Sequence, residues 1–358
     1  MRLAIAIVVI SCLFSCNSSK QAQQSAGNFF AADNPNIQYT GRIEFSNPKL
    51  PRFWAPGVYI TAKFKGPDCA FIINDEVLWG DSHNYIEVVI DNQKPVRLKL
   101  KSKTDTIQAA FGLSRGEHTI TICKNTESGI GYLEFAGFIC RQLTEPAPKP
   151  ERKIEFIGNS ITCGTGMDLS VLPCNTGQWY DQHNAYMSYA PVTARSLNAQ
   201  WHLGAVSGIG LMHSCCDMNI TMPQVFNKIN MRTDSIDWNF TQYTPQVVTV
   251  ALGQNDGIQD SVAFTHAYIN FIGQIRERYP LARIVCLTSP MADAKLAAVM
   301  KNYISGIVDL VNKRGDKLVS RYFFSKQYHA GCGGHPDLAE HQAIAAELAA
   351  YIKKLMSW

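Results

Sequence analysis

Residues 154–166 read IEFIGNSITCGTG, a short apolar run that gives way at once to a polar pair and a glycine-bearing loop. A run of that length, bounded by glycine, suits a strand buried on both faces, and the change at Asn159-Ser160 suits a turn or helix beginning where the strand stops. Ser160 is therefore either a helix-capping serine or a nucleophile exposed at a strand end, where a base from another loop can reach it. The segment by itself leaves both readings open.

The same alternation continues to the C-terminus. The runs KIEFIG, AQWHLGAVS, PQVVTVALG, ARIVCLTS and KLVSRYFF are separated by helix-patterned segments near 185–198, 260–279, 294–314 and 337–355. Strand then helix, repeated, predicts a three-layer α/β/α domain over 154–358, a flavodoxin-like parallel sheet covered on both faces, with ligands at the carboxyl ends of the strands. Upstream the pattern differs. Residues 36–145 alternate in steps of two and are punctuated by Gly, Pro, Asn and Asp, as in GVYITAKFKG, NYIEVVIDNQKP and GEHTITICK. Many short strands without a helical period predict an all-β antiparallel sandwich. Pro-rich residues 146–153 form the linker between the two domains.

At the N-terminus, Arg2, the apolar LAIAIVVISCL and the tetrapeptide LFSC read as an export signal over residues 1–16. LFSC resembles a bacterial lipobox, which makes Cys16 the lipidated first residue of the mature chain, followed by a polar tether over 17–35. The protein is thus expected in a bacterial cell envelope, touching the membrane only through that lipid. The alternative is a signal cleaved elsewhere by an ordinary peptidase. With Cys12 lost and Cys16 lipidated, nine of the eleven cysteines remain, so at least one is unpaired. Cys123, Cys140 and Cys286 lie on strand-like runs and read as core residues, whereas Cys163 and Cys174 flank a loop beside Ser160 and are the expected bridge. HSCCD, residues 213–217, lacks a second ligand pair at zinc spacing, so no metal is expected. A net charge of +4 with no basic stripe gives no footprint for nucleic acid.

Three more stretches fall at ends of runs. SGIGL supplies Gly208 and Gly210, which permit a tight turn that aims an N–H outward. LGQND places the Asn255 amide directly after a buried strand, where it can donate to a developing oxyanion, with Asp256 expected to cap the next segment. GCGGHPDLAEHQ sets His335 in a glycine-rich loop before an amphipathic helix, and a histidine suits a general base near neutral pH. His341, inside that helix, reads as structural.

In this order GNSIT, SGIG, GQND and GGHP resemble the four blocks of the SGNH (GDSL) hydrolase superfamily. The front half, through GRIEF, FWAPGVYITAKFKG, GLSRGEHTITICKNTES and FAGF, is similar to the N-terminal jelly roll of carbohydrate esterase family 2. The resemblance implies a cofactor-independent serine esterase that removes acetyl groups from plant polysaccharides and oligosaccharides of the xylan or glucomannan type, often at the sugar 6-position. It implies Ser160 as nucleophile and His335 as general base and then acid. The oxyanion hole would comprise the Ser160 and Gly208 N–H groups with the Asn255 side chain. The chain departs from the superfamily where an Asp usually precedes the histidine by three residues; Cys332 stands there. A Ser-His dyad is therefore expected, with the His335 Nδ1–H held by a main-chain oxygen of the 331–334 loop. A second departure puts Met212-His213 where relatives carry an aromatic, so Trp179, Tyr180, Tyr186 and Tyr189 become the alternatives for stacking a sugar. Two rival readings are a carbohydrate-binding protein with a degenerate hydrolase half, and a lipid or thioester hydrolase of the same superfamily.

Overall fold

The structure is a computed structural model that describes residues 27–233 and 235–358. The expected signal, Cys16 and residues 17–26 of the expected tether lie outside the described residues.

The N-terminal domain is built from β1 (Asn28–Ala31), β2 (Ile37–Thr40), β3 (Arg52–Phe53), β4 (Tyr59–Asp75), β5 (Tyr85–Ile90), β6 (Val96–Lys99), β7 (Thr104–Ala110), β8 (Glu117–Lys124) and β9 (Leu133–Thr144). Every pairing among them is antiparallel. The 17-residue β4 organises the domain. Its first part pairs with β2 and β8, its register with β9 slips between Lys65 and Cys69, and its second part pairs with β7 and β9. A slip of this kind bends a strand, so one strand serves both layers around a core of Phe53, Phe64, Phe71, Phe135 and Phe138. The domain starts earlier than expected. β1 falls within the segment read as tether, yet Asn28–Ala31 runs against Gly137–Cys140 of β9 and Phe30 packs on the core. Four residues are too few for period-two alternation to stand out in a sequence.

The C-terminal domain carries β10 (Arg152–Gly158), β11 (Ala199–Ala205), β14 (Val247–Val250), β15 (Arg283–Leu287) and β16 (Val319–Tyr322), with a small hairpin, β12 (Lys228–Asn230) and β13 (Ser235–Asp237), set between. The five-stranded sheet runs in the order β11-β10-β14-β15-β16 and is parallel throughout. Its strands are short apolar runs because helices cover both faces. Of the helices α1 (Ser160–Cys163), α2 (Tyr189–Ser196), α3 (Met222–Val225), α4 (Ser261–Arg278), α5 (Ala294–Lys313) and α6 (Leu338–Met356), α4 and α5 bury Phe271 and Ile304 against one face. On the other face α2 and α6 bury Tyr189 and Leu348. Since the chain passes from β10 to β11 on one side and then to β14 on the other, the strand order reverses at the carboxyl end of β10, where open α/β sheets place their ligands. Ser160 follows that strand end.

A polar seam joins the domains. Arg42 of the sandwich is fully buried against Glu155 of β10 at 2.9 Å and also donates to the main-chain oxygens of Phe226 and Lys228. Trp201 of β11 donates its indole N–H to Gly57 O at 2.9 Å, and Arg97 reaches the carbonyls of Asp181 and His183. Among the described residues no helix is long and apolar enough to cross a membrane.

Candidate active site

Gly158 ends β10, and a Cβ there would lie 2.0 Å from Thr162 Oγ1, so only glycine lets the chain turn this tightly into α1. Asn159 caps α1 by accepting from Ile161 N. With Asn159 as the cap, Ser160 is the first helical residue and is free of the capping role. Its hydroxyl, in a residue only 7% exposed, lies 2.9 Å from His335 Nε2.

His335 Nδ1 is 3.0 Å from the Cys332 carbonyl oxygen. A carbonyl only accepts, so Nδ1 carries the proton and the lone pair of Nε2 faces the Ser160 hydroxyl. No carboxylate is hydrogen-bonded to His335 among the described residues. Burial pushes the His335 pKa below the ordinary 6.5, while the carbonyl bond and the charge of Glu127 pull it partly back. The imidazole is therefore neutral at neutral pH.

Gly208 has φ +82°, a left-handed conformation that suits glycine, and a Cβ there would meet Cys215 Sγ at 2.9 Å. Neither the Ser160 N–H nor the Gly208 N–H has a hydrogen-bond partner among the described residues. Asn255 donates one amide hydrogen to Ile209 O at 2.8 Å, which ties the GQND loop to the SGIG loop and leaves a second hydrogen for another acceptor. Ser160, Gly208, Asn255 and His335 line one cavity of about 760 Å³.

Other sequence readings fare unevenly. Asp256 does not cap the following segment, because Asp260 caps α4; Asp256 instead accepts from the N–H groups of Leu211, Met212 and His213 and shapes the loop after Gly210. His341 is fully buried and accepts from Tyr189 N, a structural role, with burial pushing its pKa down to about 3. Of the four aromatics, Trp179 lines the cavity and is 56% exposed, whereas Tyr180, Tyr186 and Tyr189 are core residues. The expected Cys163–Cys174 bridge is absent. Cys163 is a buried free thiol beside Glu127, and Cys174 bonds Cys332 instead, across 158 residues. Cys215 and Cys216 are bridged to each other and line the cavity. Among the described residues no three His, Cys, Asp or Glu side chains gather as metal ligands.

One participant was not singled out in the sequence, although it lies in the stretch GLSRGEHTITICKNTES that carries the family resemblance. Glu127 comes from the sandwich, on the turn between β8 and β9, and lies in the floor of the cavity with 1% exposure. Its Oε2 accepts from Ser207 N at 2.5 Å, immediately before Gly208, and its Oε1 lies 3.6 Å from His183. Thr165 closes the ring by hydrogen bonding to both Ser207 and His183. Burial alone would raise the Glu127 pKa, but His183 and the Ser207 N–H outweigh it and keep the carboxylate below its ordinary range. KNTES enters the sequence reading only as the end of a family-like stretch; the docking of the domains gives it a site.

Comparison with known proteins agrees with this geometry. Residues 39–150 match the Carbohydrate esterase 2 N-terminal family and residues 156–350 the GDSL-like Lipase/Acylhydrolase family. The chain is 34% identical over 341 residues to the cellulase/esterase CelE of Acetivibrio thermocellus, covering 91% of this chain but only 40% of that larger protein. It is 27% identical to an acetylxylan esterase / glucomannan deacetylase of Cellvibrio japonicus, covering 97% and 96% of the two chains. A family two carbohydrate esterase from Clostridium thermocellum, solved in complex with cellohexaose, superposes with a TM-score of 0.82 at 33% identity, over 90% of this chain and 99% of that one. With both halves matched in order across one site, the chain belongs to carbohydrate esterase family 2, on the GDSL hydrolase fold.

Proposed function

We propose that the protein is a carbohydrate O-acetylesterase acting on acetylated xylan- or glucomannan-type glycans. The observation that carries this reading is the chain of contacts from Ser160 Oγ through His335 to Cys332 O at the floor of an open cavity. Ser160 Oγ attacks the acetyl carbonyl as His335 Nε2 takes its proton, and the imidazolium is held by the Cys332 carbonyl. The oxyanion is received by the N–H groups of Ser160 and Gly208 and by the Asn255 amide, all fixed before reaction. His335 then protonates the departing sugar oxygen, and a water activated by the same nitrogen releases acetate and restores Ser160. Trp179, Met218, Ile220 and Met291 give the cavity an apolar wall suited to the C–H face of a sugar ring.

Acetate release from acetylated xylan, acetylated glucomannan and a small chromogenic acetate, with Ser160→Ala as control, tests the reading. Wild-type release that the variant loses supports it; glycan binding without acetate release favours a binding protein. We place the protein outside the cytoplasm on a Cys16 lipid anchor. The two disulfides of the described residues fit an oxidising compartment. Transfer of Cys16→Ala from the membrane to the soluble fraction tests the anchor.

A further inference from the structure

Cys332 occupies the position from which a carboxylate usually orients the histidine, yet its side chain serves a different end. The thiol is used up in the bridge to Cys174, and the main-chain oxygen of the same residue accepts from His335. The segment that carries this oxygen is a single short turn, closed by bonds from Gly331 N to His335 O at 2.7 Å and from His335 N to Cys332 O at 3.2 Å. Gly333 and Gly334 are exposed and take left-handed conformations with φ 61° and 73°, and no regular helix or strand contains His335. Two ties bind Cys332 to the rest of the protein: its N–H donates to Gly166 O at 2.8 Å, and its sulfur is bonded to Cys174. The first is a single hydrogen bond, and Cys332 is partly exposed. The second is covalent. Gly166 also abuts the acceptor, since a Cβ there would lie 2.7 Å from Cys332 O.

We propose that the Cys174–Cys332 disulfide is a positioning device for the dyad, holding the carbonyl that selects the His335 tautomer, and that it makes the esterase redox-sensitive. The inference rests on the esterase reading for its activity readout. A dithiol breaks the S–S bond, delivers two electrons and two protons to give a thiol on each cysteine, and is itself oxidised to a cyclic disulfide. Loosening an orienting group falls short of deleting one, which can cost about 10⁴ in turnover. The expected loss is about 10- to 100-fold in kcat with KM nearly unchanged.

The experiment compares oxidised wild type, Cys174→Ser, and Cys174→Ser with Cys332→Asp on the chromogenic acetate, with ¹⁵N-histidine spectra to read the His335 tautomer. Dithiol reduction of wild type at the assay temperature, followed by reoxidation, separates loss of position from failure to fold, with the same treatment of Cys174→Ser subtracting the effect of reducing Cys215–Cys216. Support is a kcat loss in Cys174→Ser and in reduced wild type, a mixed His335 tautomer, recovery on reoxidation, and rescue by the introduced carboxylate without the bridge. Cys174→Ser with kcat within about twofold of wild type and a pure Nδ1–H tautomer overturns the proposal. So does a kcat loss that the Asp variant fails to rescue while the tautomer stays unchanged. If oxidised wild type hydrolyses no ester, the esterase reading fails, and the tautomer spectra still decide whether the bridge positions His335.

Discussion

The two halves of the dyad are held by different physics. Ser160 follows a strand whose neighbours on both sides are hydrogen-bonded in register, and it opens a capped helix buried at every residue. His335 sits in a glycine-rich loop, held by the Cys332 carbonyl and two main-chain bonds within one short turn, and that turn is tied to the rest of the protein through Cys332 by one bond to Gly166 O and a cross-link. Secondary structure places the nucleophile at no extra cost, because the sheet must exist anyway. The base needs dedicated ties.

The largest expected effect tests whether the loop side is catalytic at all. His335→Ala should lower kcat on the chromogenic acetate by about 10⁴- to 10⁶-fold, as removal of a base does in comparable serine enzymes, while the unfolding midpoint barely moves. A loss below tenfold, measured in steady state, would mean that another group takes the Ser160 proton.

On the sheet side, stability is the expected casualty. Arg42→Ala leaves Glu155 of β10 buried without its charge partner and removes the donor to Phe226 O and Lys228 O. Breaking a buried pair costs about 3–5 kcal/mol, read as a lower midpoint in guanidinium unfolding. Turnover of the fraction still folded should stay close to wild type. If kcat collapses while stability holds, the seam steers the nucleophile rather than supporting the sheet.

Asn255→Ala lies between these. It removes one proposed oxyanion donor and the tie to Ile209 O, and kcat should fall about 10²- to 10³-fold with KM little changed. A rise in KM at constant kcat would place Asn255 in substrate binding instead.

This contrast also accounts for what was legible in the sequence. Parallel strands covered on both faces appear as isolated apolar runs, so all five were readable, as were the residues at their carboxyl ends. The entry to α6 was readable from Pro336 and Asp337, which caps it. The disulfides were not, because pairing depends on proximity in space: Cys163 lies near Cys174 in sequence but faces the buried Glu127, while Cys332 comes from 158 residues away. Asp256 was misread because a carboxylate a few residues before a helix looks like a cap, whereas its actual partners lie on another loop. The role of Glu127 was not readable for a related reason, although its stretch carried the family resemblance. Nothing in a β-turn signals that a second domain will bury it.

That residue yields the smallest and most discriminating test. Glu127→Gln keeps an oxygen that can accept the Ser207 N–H and removes only the charge. A negative charge on Glu127 favours the imidazolium form of His335, so its loss lowers the His335 pKa further below 6.5. The form able to act as base then persists to lower pH. The acid limb of kcat/KM should move toward acid in the variant, and the plateau should drop modestly because the imidazolium formed in the transition state loses a stabilising charge. An unmoved acid limb would confine Glu127 to holding the Ser207 peptide, and the sandwich would then contribute shape to the site but no charge. An acid shift would show that a domain without catalytic groups of its own supplies, through space, part of what an adjacent carboxylate supplies in a triad.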